Sequence, residues 1–569
     1  MTNNDLADIF DHIANLLEIK GELVFKTLAY RRAAETLRTL PEDIHTVMAE
    51  NRLQEIPGVG KAIAEKITEL LTTGSLRFLE ALEQEVPPTL ETLLAVPDVG
   101  PKKAALFWRE LGIINIAGLE AAARAGQLRT LPGMGAKSEE RILAGLAALA
   151  RRSRRMLLGN ARPLALRWLT WLRAQPGVEQ AEIAGSLRRW KSTIGDLDLV
   201  AASRTPAPLM EAFVHHPDVV RIAGQGENKS SVELSNGINL QIWVQPPERF
   251  GTLLQFVSGS KDHNVRLREL AQKKGLSLSE QAVLRPDGGE ILCATEEEVY
   301  TALGLPWIPP ELREDRGEIQ AALAGRLPDL VQVSDLTADL HNHTTWSDGA
   351  ASIEEMARGA IARGRKVLAI TDHSGGLSVT GGLDVQRLEM RDVQARLDGQ
   401  ILLLQGAEVE IRADGSLDYP DEVLDELDIV VASLHTSLRQ PREQVTARLL
   451  NAVRNPHVDI IGHPSGRLLG YREGADLDMD QVLAAARDSG VALEINANPS
   501  RLDLDEVYAR RAAELGIPIA INTDSHAPDQ MDLAEYGVSV ARRAWISADR
   551  VLTAWPPEQI TAWLKRKRA

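Results

Sequence analysis

Apolar residues recur at helical spacing through the first part of the chain. One series lies at Leu6, Ile9, Phe10, Ile13, Leu16 and Leu17. A second series follows between Leu23 and Leu37. Spacings of three and four residues place apolar side chains on one face of a helix. We therefore expect residues 5–80 to be helical.

The pattern changes after residue 330, where short apolar runs alternate with helical stretches. The runs are residues 336–340, 366–370, 401–404, 428–433, 458–461, 491–495 and 517–521. Regular alternation of strand and helix is typical of a parallel sheet, and seven repeats predict a barrel. Functional side chains of such barrels lie at the carboxyl ends of the strands. Polar residues directly after each run are therefore the candidates for chemistry.

The composition favours an intracellular protein with several domains. A chain of 569 residues is long enough for three or more domains, each with its own core. Its single cysteine, Cys293, excludes a disulfide framework and indicates a reducing compartment. The first residues show no signal peptide pattern, and no apolar run approaches the length of a membrane span. We expect a soluble cytoplasmic protein with no membrane partner.

The net charge of −16 does not by itself suggest a nucleic-acid partner. Most of the acidic excess lies after residue 330, so the total says little about the first half of the chain. A local basic segment stands at residues 151–155, which read Arg-Arg-Ser-Arg-Arg. Such a segment is either a solvated helix face or part of a nucleic-acid surface.

A short glycine-containing motif occurs three times in the N-terminal part. The copies begin at Ile56, Val96 and Leu131, and each precedes a helical stretch. A tight turn before a helix exposes backbone N–H groups that bind phosphate without reading a base. One copy is compatible with plain packing, whereas three copies resemble the helix-hairpin-helix motifs that follow a DNA backbone. The predicted DNA-binding positions are Gly58, Gly60, Gly100, Gly133 and Gly135.

Two aspartates, Asp196 and Asp198, lie two positions apart in an apolar run. The period of a strand places both carboxylates on one face, where divalent cations would relieve their repulsion. Metal ions that bridge a triphosphate are the usual device of phosphoryl transfer. An ordinary half-buried strand is the alternative, and a Gly-Ser turn and an arginine pair upstream argue against it because they suit phosphate oxygens. These upstream residues are Gly185, Ser186, Arg188 and Arg189.

Lys66 stands in the helix that follows the first hairpin. Basic and aromatic residues on an earlier helix, at Lys26, Tyr30 and Arg31, are its candidate neighbours. A lysine beside other cations can attack an aldehyde and form a Schiff base. The alternative is an ordinary surface lysine.

Histidines and carboxylates follow the C-terminal apolar runs. Half of the 12 histidines of the chain stand there. Imidazole and carboxylate groups together suit Zn, Mn or Fe, and Glu408 is placed to bridge two ions. The residues are His341, His343, Asp348, Asp372, His373, Glu408, His435, His463, Glu494, Asn496, Asp524 and His526.

Residues 5–310 resemble the family X DNA polymerases, the small gap-filling repair enzymes. The resemblance rests on residues 56–66, 185–198 and 256–268. It implies a Lys66 lyase nucleophile and metal binding by Asp196 and Asp198, with Mn²⁺ or Mg²⁺. It also implies nucleotide-binding roles: Gly185, Ser186 and Arg189 for the triphosphate, Phe256 and Gly259 for the sugar, Asn264 for the base and Arg268 for the template side.

The resemblance fails at the third carboxylate of the palm. Gln241 stands where the family has an acid, and an amide brings no charge and accepts no proton from a primer hydroxyl. Glu233 does not replace it if Asn236-Gly237 forms a two-residue turn, because Gln241 then faces Val232 and Glu233 falls on the opposite face. Trp190 replaces a residue that is usually small, and Trp243 one that is usually charged. We expect polymerase activity that is weak or favours Mn²⁺.

Residues 336–569 resemble a PHP domain, a phosphoesterase family. The resemblance implies hydrolysis of phosphoesters by up to three ions of Zn²⁺, Mn²⁺ or Fe. Arg467, which follows one of the ligand histidines, is a candidate phosphate contact. The nine metal ligands carried over are His341, His343, Asp348, His373, Glu408, His435, His463, Asp524 and His526.

The predicted fold is multidomain, of the α+β and α/β classes. It comprises a helical lyase-like domain with a helix-hairpin-helix (1–85), a helical DNA-binding subdomain with further hairpins (86–152), a polymerase beta-like palm (153–245), a C-terminal polymerase subdomain (246–315), a linker (316–335) and a distorted (βα)7 barrel of PHP type (336–569).

The predicted function is DNA repair by gap-filling nucleotidyl transfer combined with a 3′-5′ exonuclease or 3′-end phosphoesterase. The partners would be gapped or nicked DNA and deoxynucleoside triphosphates, and we expect a monomer. One alternative is an end-processing nuclease whose polymerase part is a DNA-binding scaffold. Another is a phosphoesterase for small molecules, against which the three hairpins argue.

Overall fold

The computed structural model describes residues 3–22, 24–38, 40, 44–56, 58–96, 98–153, 155–375 and 382–567. The chain folds as two units, Met1–Arg154 and Arg155–Ala569. Within the described ranges, no helix combines the length and the apolar character that a membrane span requires.

Helices build the first unit, as the apolar spacing predicts. Phe10, Ile67 and Phe107 are fully buried in its core. The prediction of helices over residues 5–80 is confirmed in the described ranges. The helices are Asn3–Lys20, Val24–Arg38, Ile44–Ala49, Lys61–Thr73, Arg77–Glu85, Pro101–Leu111, Ile116–Arg124 and Ala136–Ser153, with 3-10 turns at Leu53–Glu55, Pro88–Ala95 and Leu128–Thr130.

A five-stranded sheet forms the palm at the start of the second unit. The strands of this region are β1 (Met156–Leu157), β2 (Gln180–Ile183), β3 (Thr193–Ile194), β4 (Asp196–Ala202), β5 (Val219–Gln225), β6 (Lys229–Leu234) and β7 (Asn239–Gln245). The order in the five-stranded sheet is β2-β4-β7-β6-β5, with β4 and β7 parallel and the other neighbours antiparallel. β1 and β3 pair separately. The helices are Leu158–Arg173, Gly185–Arg188 and Pro206–Val214.

The hairpin between β6 and β7 differs from the predicted two-residue turn. The Leu234 N–H donates to the Ile238 carbonyl, and the Gly237 N–H donates to the Leu234 carbonyl. The loop therefore has three residues, 235–237. Gly237 has a φ of 81°, the left-handed conformation that closes such a loop and that glycine adopts without strain.

The longer loop shifts the register by one residue. Gln241 pairs with Ser231, not with Val232. Because a one-residue shift moves side chains to the other face, Glu233 shares a face with Gln241, and the prediction of opposite faces is wrong. Glu233 forms an ion pair of 2.6 Å with Arg221 on the edge strand.

A small subdomain follows the palm. Its core contains Cys293, Tyr300 and Leu303, all fully buried. The helices are Phe250–Ser258, Lys261–Lys273, Glu296–Ala302 and Glu318–Leu323, with 3-10 turns at Pro247–Arg249, Pro310–Leu312 and Val333–Asp335. An antiparallel sheet is made of β8 (Ser277–Leu278), β9 (Val283–Leu284) and β10 (Glu290–Ile291).

Seven parallel strands form the C-terminal sheet in sequential order, which confirms the predicted barrel. The first and last strands approach each other: the His343 N–H donates to the Ser525 carbonyl at 2.8 Å. The strands are β11 (Ala338–Asp339), β12 (Val367–Ile370), β13 (Leu402–Glu410), β14 (Ile429–Ser433), β15 (Ile460–Gly462), β16 (Ala492–Asn496) and β17 (Ile519–Asn522).

Helices lie between the strands of the barrel and after the last strand. They are Ile353–Ala362, Leu383–Arg396, Asp421–Leu424, Arg442–Arg454, Met479–Ser489, Glu506–Glu514, Ala534–Arg543 and Pro557–Lys567, with 3-10 turns at Pro528–Leu533, Ala548–Arg550 and Leu552–Ala554. Residues on both faces of the strands are buried, because helices cover one side and the barrel core the other.

The domain boundaries stay predictions, although the division between the two units lies close to the one predicted at residues 152 and 153. The predicted basic segment 151–155 falls mostly outside the described side chains. Its last member, Arg155, donates to the Thr193 hydroxyl at 2.9 Å.

Candidate active sites

The predicted PHP ligands converge at the carboxyl ends of the barrel strands. Their donor atoms form three overlapping groups, in each of which all atoms lie within 4.8 Å of one another. The groups are His343, Asp348, His373 and His526; His341, His343 and Glu408; and Glu408, His435 and His463. The ninth residue, Asp524, lies 3.0 Å from His343 Nε2 and 3.6 Å from His341 Nε2.

Glu408 lies at the centre of this cluster. One of its oxygens lies 3.3 Å from His341 Nε2 and 3.0 Å from His373 Nδ1, and the other lies 3.2 Å from His435 Nε2 and 2.9 Å from His463 Nε2. The carboxylate is therefore placed to join two groups of ligands, as the sequence predicts for a bridging residue.

Several fully buried imidazole nitrogens of the cluster have no hydrogen-bond partner among the described residues. They are His341 Nε2, both ring nitrogens of His343 and His463 Nδ1. Buried polar atoms are nearly always paired, and an orphan at a functional site points to a bound group. Imidazole and carboxylate donors at this spacing fit Zn²⁺, Mn²⁺ or Fe.

Contacts on the second ring nitrogen orient three of the histidines. His341 Nδ1 contacts Glu494 Oε1 at 2.8 Å, and His435 Nδ1 contacts Glu410 Oε2 at 2.8 Å. His526 Nδ1 contacts the Asp524 carbonyl at 2.9 Å. A partner on the second nitrogen fixes the ring and leaves the first nitrogen for a metal.

The charges of the cluster reinforce one another. Burial alone would raise the pKa of Glu408, but His341, His435 and His373 outweigh burial and hold that pKa well below its usual range. Burial likewise opposes the charged form of His435, yet the carboxylate of Glu408 raises the pKa of His435 to about 9. The carboxylates are therefore in the ionised form that binds cations.

Asp372 does not point at the metal ligands. Its oxygens accept from the Thr344 N–H at 2.7 Å, from the Ser347 hydroxyl at 2.6 Å and from the Gln386 amide at 2.8 Å. The expectation that Asp372 supplies a ligand group is therefore corrected. It holds the loop that follows β11.

Arg467 is also engaged elsewhere. Its guanidinium donates to the Arg501 carbonyl at 2.9 Å and to the Leu502 carbonyl, which leaves it a structural role where the sequence suggests a phosphate contact. Arg501, which the sequence did not single out, lies closer to the ligand cluster. Its Nε is 3.8 Å from Asp524, and its buried Nη1 has no hydrogen-bond partner among the residues that the structure describes.

The second candidate site is a palm cavity of about 470 Å³. It brings together every predicted metal and nucleotide residue of the polymerase part. Lys229 and Lys261 also line it, and sequence reasoning missed both. The lining residues are Gly185, Ser186, Arg189, Asp196, Asp198, Lys229, Gln241, Trp243, Phe256, Val257, Gly259, Lys261, Asn264 and Arg268.

Asp196 and Asp198 share one face of β4, as the strand period predicts. Burial and the neighbouring Asp196 raise the pKa of Asp198 to about 7, which shows how poorly the pair tolerates two charges without a cation. Gln241 donates its amide to Asp196 at 3.2 Å. Gly185 has a φ of 63°, and a Cβ there would meet the Asp198 carboxylate at 2.2 Å, so the turn requires glycine.

The two arginines after this turn have different surroundings. Arg188 does not reach the cavity, because it donates to both oxygens of Glu296 at 2.7 Å, which corrects the expectation that it adds charge for phosphate. Arg189 lines the cavity and is held by Glu314 at 3.1 Å and by the Ser258 carbonyl.

The two tryptophans that depart from the family pattern have identifiable contacts. Trp190 has a φ of 55° and packs edge-on against Tyr536 of the barrel, with Arg162 stacked 4.1 Å above its ring. Trp243 lies in the cavity, where Lys229 stacks on its ring at 3.7 Å.

The residues carried over from the small subdomain lie along the same cavity. Asn264 donates to the Phe256 carbonyl at 2.7 Å and accepts from Gln255 at 2.8 Å. Arg268 donates to the Asn264 carbonyl at 3.3 Å. The helices Phe250–Ser258 and Lys261–Lys273 thus present one continuous wall to the palm.

Lys66 lies in the first unit with two of its three predicted neighbours. Its ammonium lies 5.0 Å from the centre of the Phe78 ring, and that of Lys26 lies 5.5 Å from the same centre. Tyr30 stacks on the same Phe78 ring, with the ring centres 5.9 Å apart. Arg31 turns away, since it donates to Glu18 at 2.8 Å.

The three hairpins adopt one backbone arrangement. In each, the residue before the second glycine donates to the carbonyl three residues back, at 3.0 Å. Gly60 and Gly100 then cap their helices, and no described atom lies within 4 Å of a Cβ built at Gly60, Gly100 or Gly135. The second copy has Asp98 at the position of Gly58, with a φ of 67°. The exposed backbone suits a phosphate.

Four family models match the chain. The helix-hairpin-helix domain matches residues 1–76, and the SAM-like helix-hairpin-helix tandem matches residues 90–148. The DNA polymerase beta thumb matches residues 253–314, and the PHP domain matches residues 339–498. Each falls on the part of the fold for which the sequence predicts it.

Curated relatives give the same division. "DNA polymerase/3'-5' exonuclease PolX" of Bacillus subtilis (strain 168) is 38% identical over 576 residues, which covers 100% of both chains. "Probable phosphatase" of Acetivibrio thermocellus is 30% identical over 240 residues, 40% of this chain and 95% of the relative. A probable phosphatase of Thermoanaerobacter sp. (strain X514) is 34% identical over 245 residues, 41% of this chain and 96% of the relative. The chain therefore belongs to the PolX family, the family X DNA polymerases that carry a PHP domain.

Proposed function

We propose that this protein repairs DNA by filling short gaps with deoxynucleotides and by degrading 3′ ends in its PHP barrel. The observation that supports the proposal most strongly is that one chain contains two separate candidate sites for cations. One is the nine-residue cluster of the barrel, and the other is the palm cavity with Asp196 and Asp198. The full-length relative is named for both activities.

In the barrel, the nine predicted ligands would hold up to three ions of Zn²⁺, Mn²⁺ or Fe. Such ions supply a hydroxide nucleophile at neutral pH and positive charge for a phosphodiester. Glu408 would join the ligand groups, and Glu494 and Glu410 would keep His341 and His435 in the orientation that exposes Nε2. The expected product is a mononucleotide released from the 3′ end.

In the palm, Asp196 and Asp198 would hold Mg²⁺ or Mn²⁺, which supplies the charge that a triphosphate requires. Ser186 and Arg189 would bind the triphosphate oxygens. Asn264 would contact the base and Arg268 the template strand. The primer 3′ hydroxyl would form a bond to the α-phosphorus and lose its proton to solvent, and the bond from that phosphorus to the leaving pyrophosphate would break. Gln241 brings no proton acceptor, which explains why we expect weak or Mn²⁺-dependent incorporation.

The N-terminal unit would hold the DNA. The open backbone of the three hairpins suits phosphates on either side of a gap, without selecting a sequence. Lys66, close to Lys26 and Tyr30, would serve as the lyase nucleophile for an abasic sugar. We also propose a cytoplasmic location, and we expect the enzyme to act as a monomer.

A second candidate is a nuclease whose palm serves only to bind DNA. It is favoured by the hydrogen bond from Gln241 to Asp196, which occupies a carboxylate that a cation needs. The two candidates make different predictions for the palm and the same prediction for the barrel.

A gap-filling and 3′-degradation assay on one DNA separates them. We expect Asp196→Ala to abolish nucleotide incorporation with Mn²⁺ and Mg²⁺ while 3′ degradation continues, and His341→Ala to have the reverse effect. No incorporation by the parent above the Asp196→Ala background, with either metal, would establish the scaffold function. Unchanged degradation by His341→Ala would refute the assignment of the nuclease to the barrel.

A further inference from the structure

Arg543 is the last residue of the barrel helix Ala534–Arg543, and it points into the polymerase part of the chain. Its side chain is 2% exposed. One terminal nitrogen donates to the main-chain carbonyl of Arg189 at 2.6 Å and to Glu314 at 3.1 Å. The other donates to Glu506 at 2.8 Å.

These contacts reach the residue that lines the nucleotide cavity. Arg189 Nε donates to the same oxygen of Glu314 that Arg543 contacts, at 3.1 Å. Arg543 therefore contacts the backbone of Arg189 directly, and it contacts the guanidinium of Arg189 indirectly, through Glu314. The guanidinium of Arg189 also donates to the carbonyl of Ser258, the residue directly before Gly259 in the cavity wall.

The surrounding charges make Arg543 the central cation of the network. Burial would raise the pKa of Glu506, but Arg543 outweighs burial and lowers the pKa of Glu506 to about 2. Lys191 lies 4.0 Å from both Glu314 and Glu506, beyond hydrogen-bond distance. Arg316 lies 3.5 Å from Glu506, so loss of Arg543 would leave Glu506 with this longer contact and Glu314 with Arg189 as its nearest cation. Glu314 would then draw Arg189 away from the cavity.

We propose that Arg543, which the PHP barrel contributes, is a positioning residue for nucleotidyl transfer and sets Arg189 for the triphosphate of the incoming deoxynucleotide. The proposal rests on the triphosphate role of Arg189 in the proposed function. It makes the polymerase site incomplete without the barrel, and it assigns the barrel a role in polymerisation that does not use its metal cluster.

The test is steady-state gap filling by the full-length protein with the variants Arg543→Ala and Arg543→Lys. We expect the KM for the deoxynucleotide to rise about 10-fold or more in Arg543→Ala, the size of one lost charge-assisted hydrogen bond, with kcat changed less than about twofold. Arg543→Lys should show a smaller rise, because one ammonium cannot span the carbonyl and both carboxylates. Added guanidinium ion should lower the KM of Arg543→Ala.

Arg162→Ala is the matched control. Arg162 donates to both oxygens of Glu535 at 3.1 Å across the same junction between palm and barrel, and it contacts neither Arg189 nor Glu314 among the described residues. We expect its nucleotide KM to rise no more than about twofold, because Arg162 reaches Arg189 only through its stacking on the Trp190 ring. An equal rise of KM in Arg162→Ala and Arg543→Ala would overturn the proposal, because a general loosening of the junction would explain both.

Two further measurements separate the possible failures. The 3′ nuclease activity of each variant reports whether the barrel is intact, and we expect it to match the parent. Arg189→Ala reports whether Arg189 binds the nucleotide. If Arg189→Ala raises the KM and Arg543→Ala does not, this inference fails alone; if neither raises it, the triphosphate role of Arg189 fails.

Discussion

The barrel cluster and the palm cavity both gather carboxylates for cations, but they differ in how many residues share the task. In the barrel, nine ligand positions follow six of the seven strands, and β16 contributes Glu494, which supports His341. In the palm, the candidate ligands are two aspartates. At the third position, where the family has a carboxylate, Gln241 donates a hydrogen bond to Asp196.

This difference shows what makes a metal site tolerant of change. Each histidine of the barrel has a neighbour that supplies charge or orientation, so the cluster is held by many weak constraints at once. The affinity of the palm site for cations depends on one carboxylate pair and on the residue at position 241. One substitution there changes the charge of the whole site.

The largest effect should follow from a change at the centre of the barrel cluster. Glu408 lies within 3.5 Å of five histidine rings. Glu408→Gln keeps the shape and removes the charge, so it should lower 3′ nuclease activity more than the roughly 10- to 100-fold typical of outer-partner changes. Elemental analysis should show less bound metal per protein.

Gap filling by the same variant is the control, since the palm cavity does not include Glu408. We expect it to change less than about twofold. Full nuclease activity or full metal content in Glu408→Gln would contradict the role of Glu408 as the bridging ligand.

The next effect sharpens the contrast at the palm. Gln241→Asp supplies the missing charge and a proton acceptor, so Mg²⁺-dependent incorporation should rise about 10-fold or more. The ratio of Mg²⁺ to Mn²⁺ activity in a single-nucleotide gap assay is the measurement.

Gln241→Leu is the matched variant, because it removes the amide that donates to Asp196 without adding a carboxylate. We expect no gain from it. An equal gain from leucine and aspartate would show that the amide obstructs Asp196, and that the missing charge is not the limitation.

The sequence predicts which polar side chains of the barrel lie close together, and the reason is physical. Strand ends in a parallel barrel converge whatever the details of the loops, so each ligand needs only its place after an apolar run. Asp372 and Arg467 occupy similar places, but the roles predicted for them do not match the structure. Hydrogen bonds to nearby loops direct their side chains away from the ligand cluster. Glu410 was missed although it follows Glu408 at the strand period of two.

The palm was harder to predict because its details depend on distant segments and on one loop. The observed register of Gln241 differs by one residue from the predicted register, because the loop at Gly237 has three residues and not two. The partners of Arg188 and Arg189 are Glu296 and Glu314, more than 100 positions away, which no local pattern indicates.

The smallest predicted effect tests whether the junction between palm and barrel is energetically linked to the palm cavity. Trp190 contributes a palm side chain to the junction, and its ring lies 5.9 Å from that of Tyr536, edge to face. Such an aromatic pair contributes about 0.5 to 1.5 kcal/mol beyond its buried area. A double-mutant cycle of Trp190→Ala and Tyr536→Ala should give a coupling free energy of this size in chemical unfolding.

The same cycle should be measured on gap filling. Because Trp190 directly follows Arg189, a change in the aromatic contact is transmitted through the backbone to the nucleotide cavity, and the nucleotide KM should rise about twofold in Trp190→Ala. Tyr536→Ala, which alters only the barrel side of the pair, should produce a similar rise. If Tyr536→Ala leaves the KM unchanged while the unfolding cycle shows coupling, the aromatic pair stabilises the junction without any effect on the polymerase site.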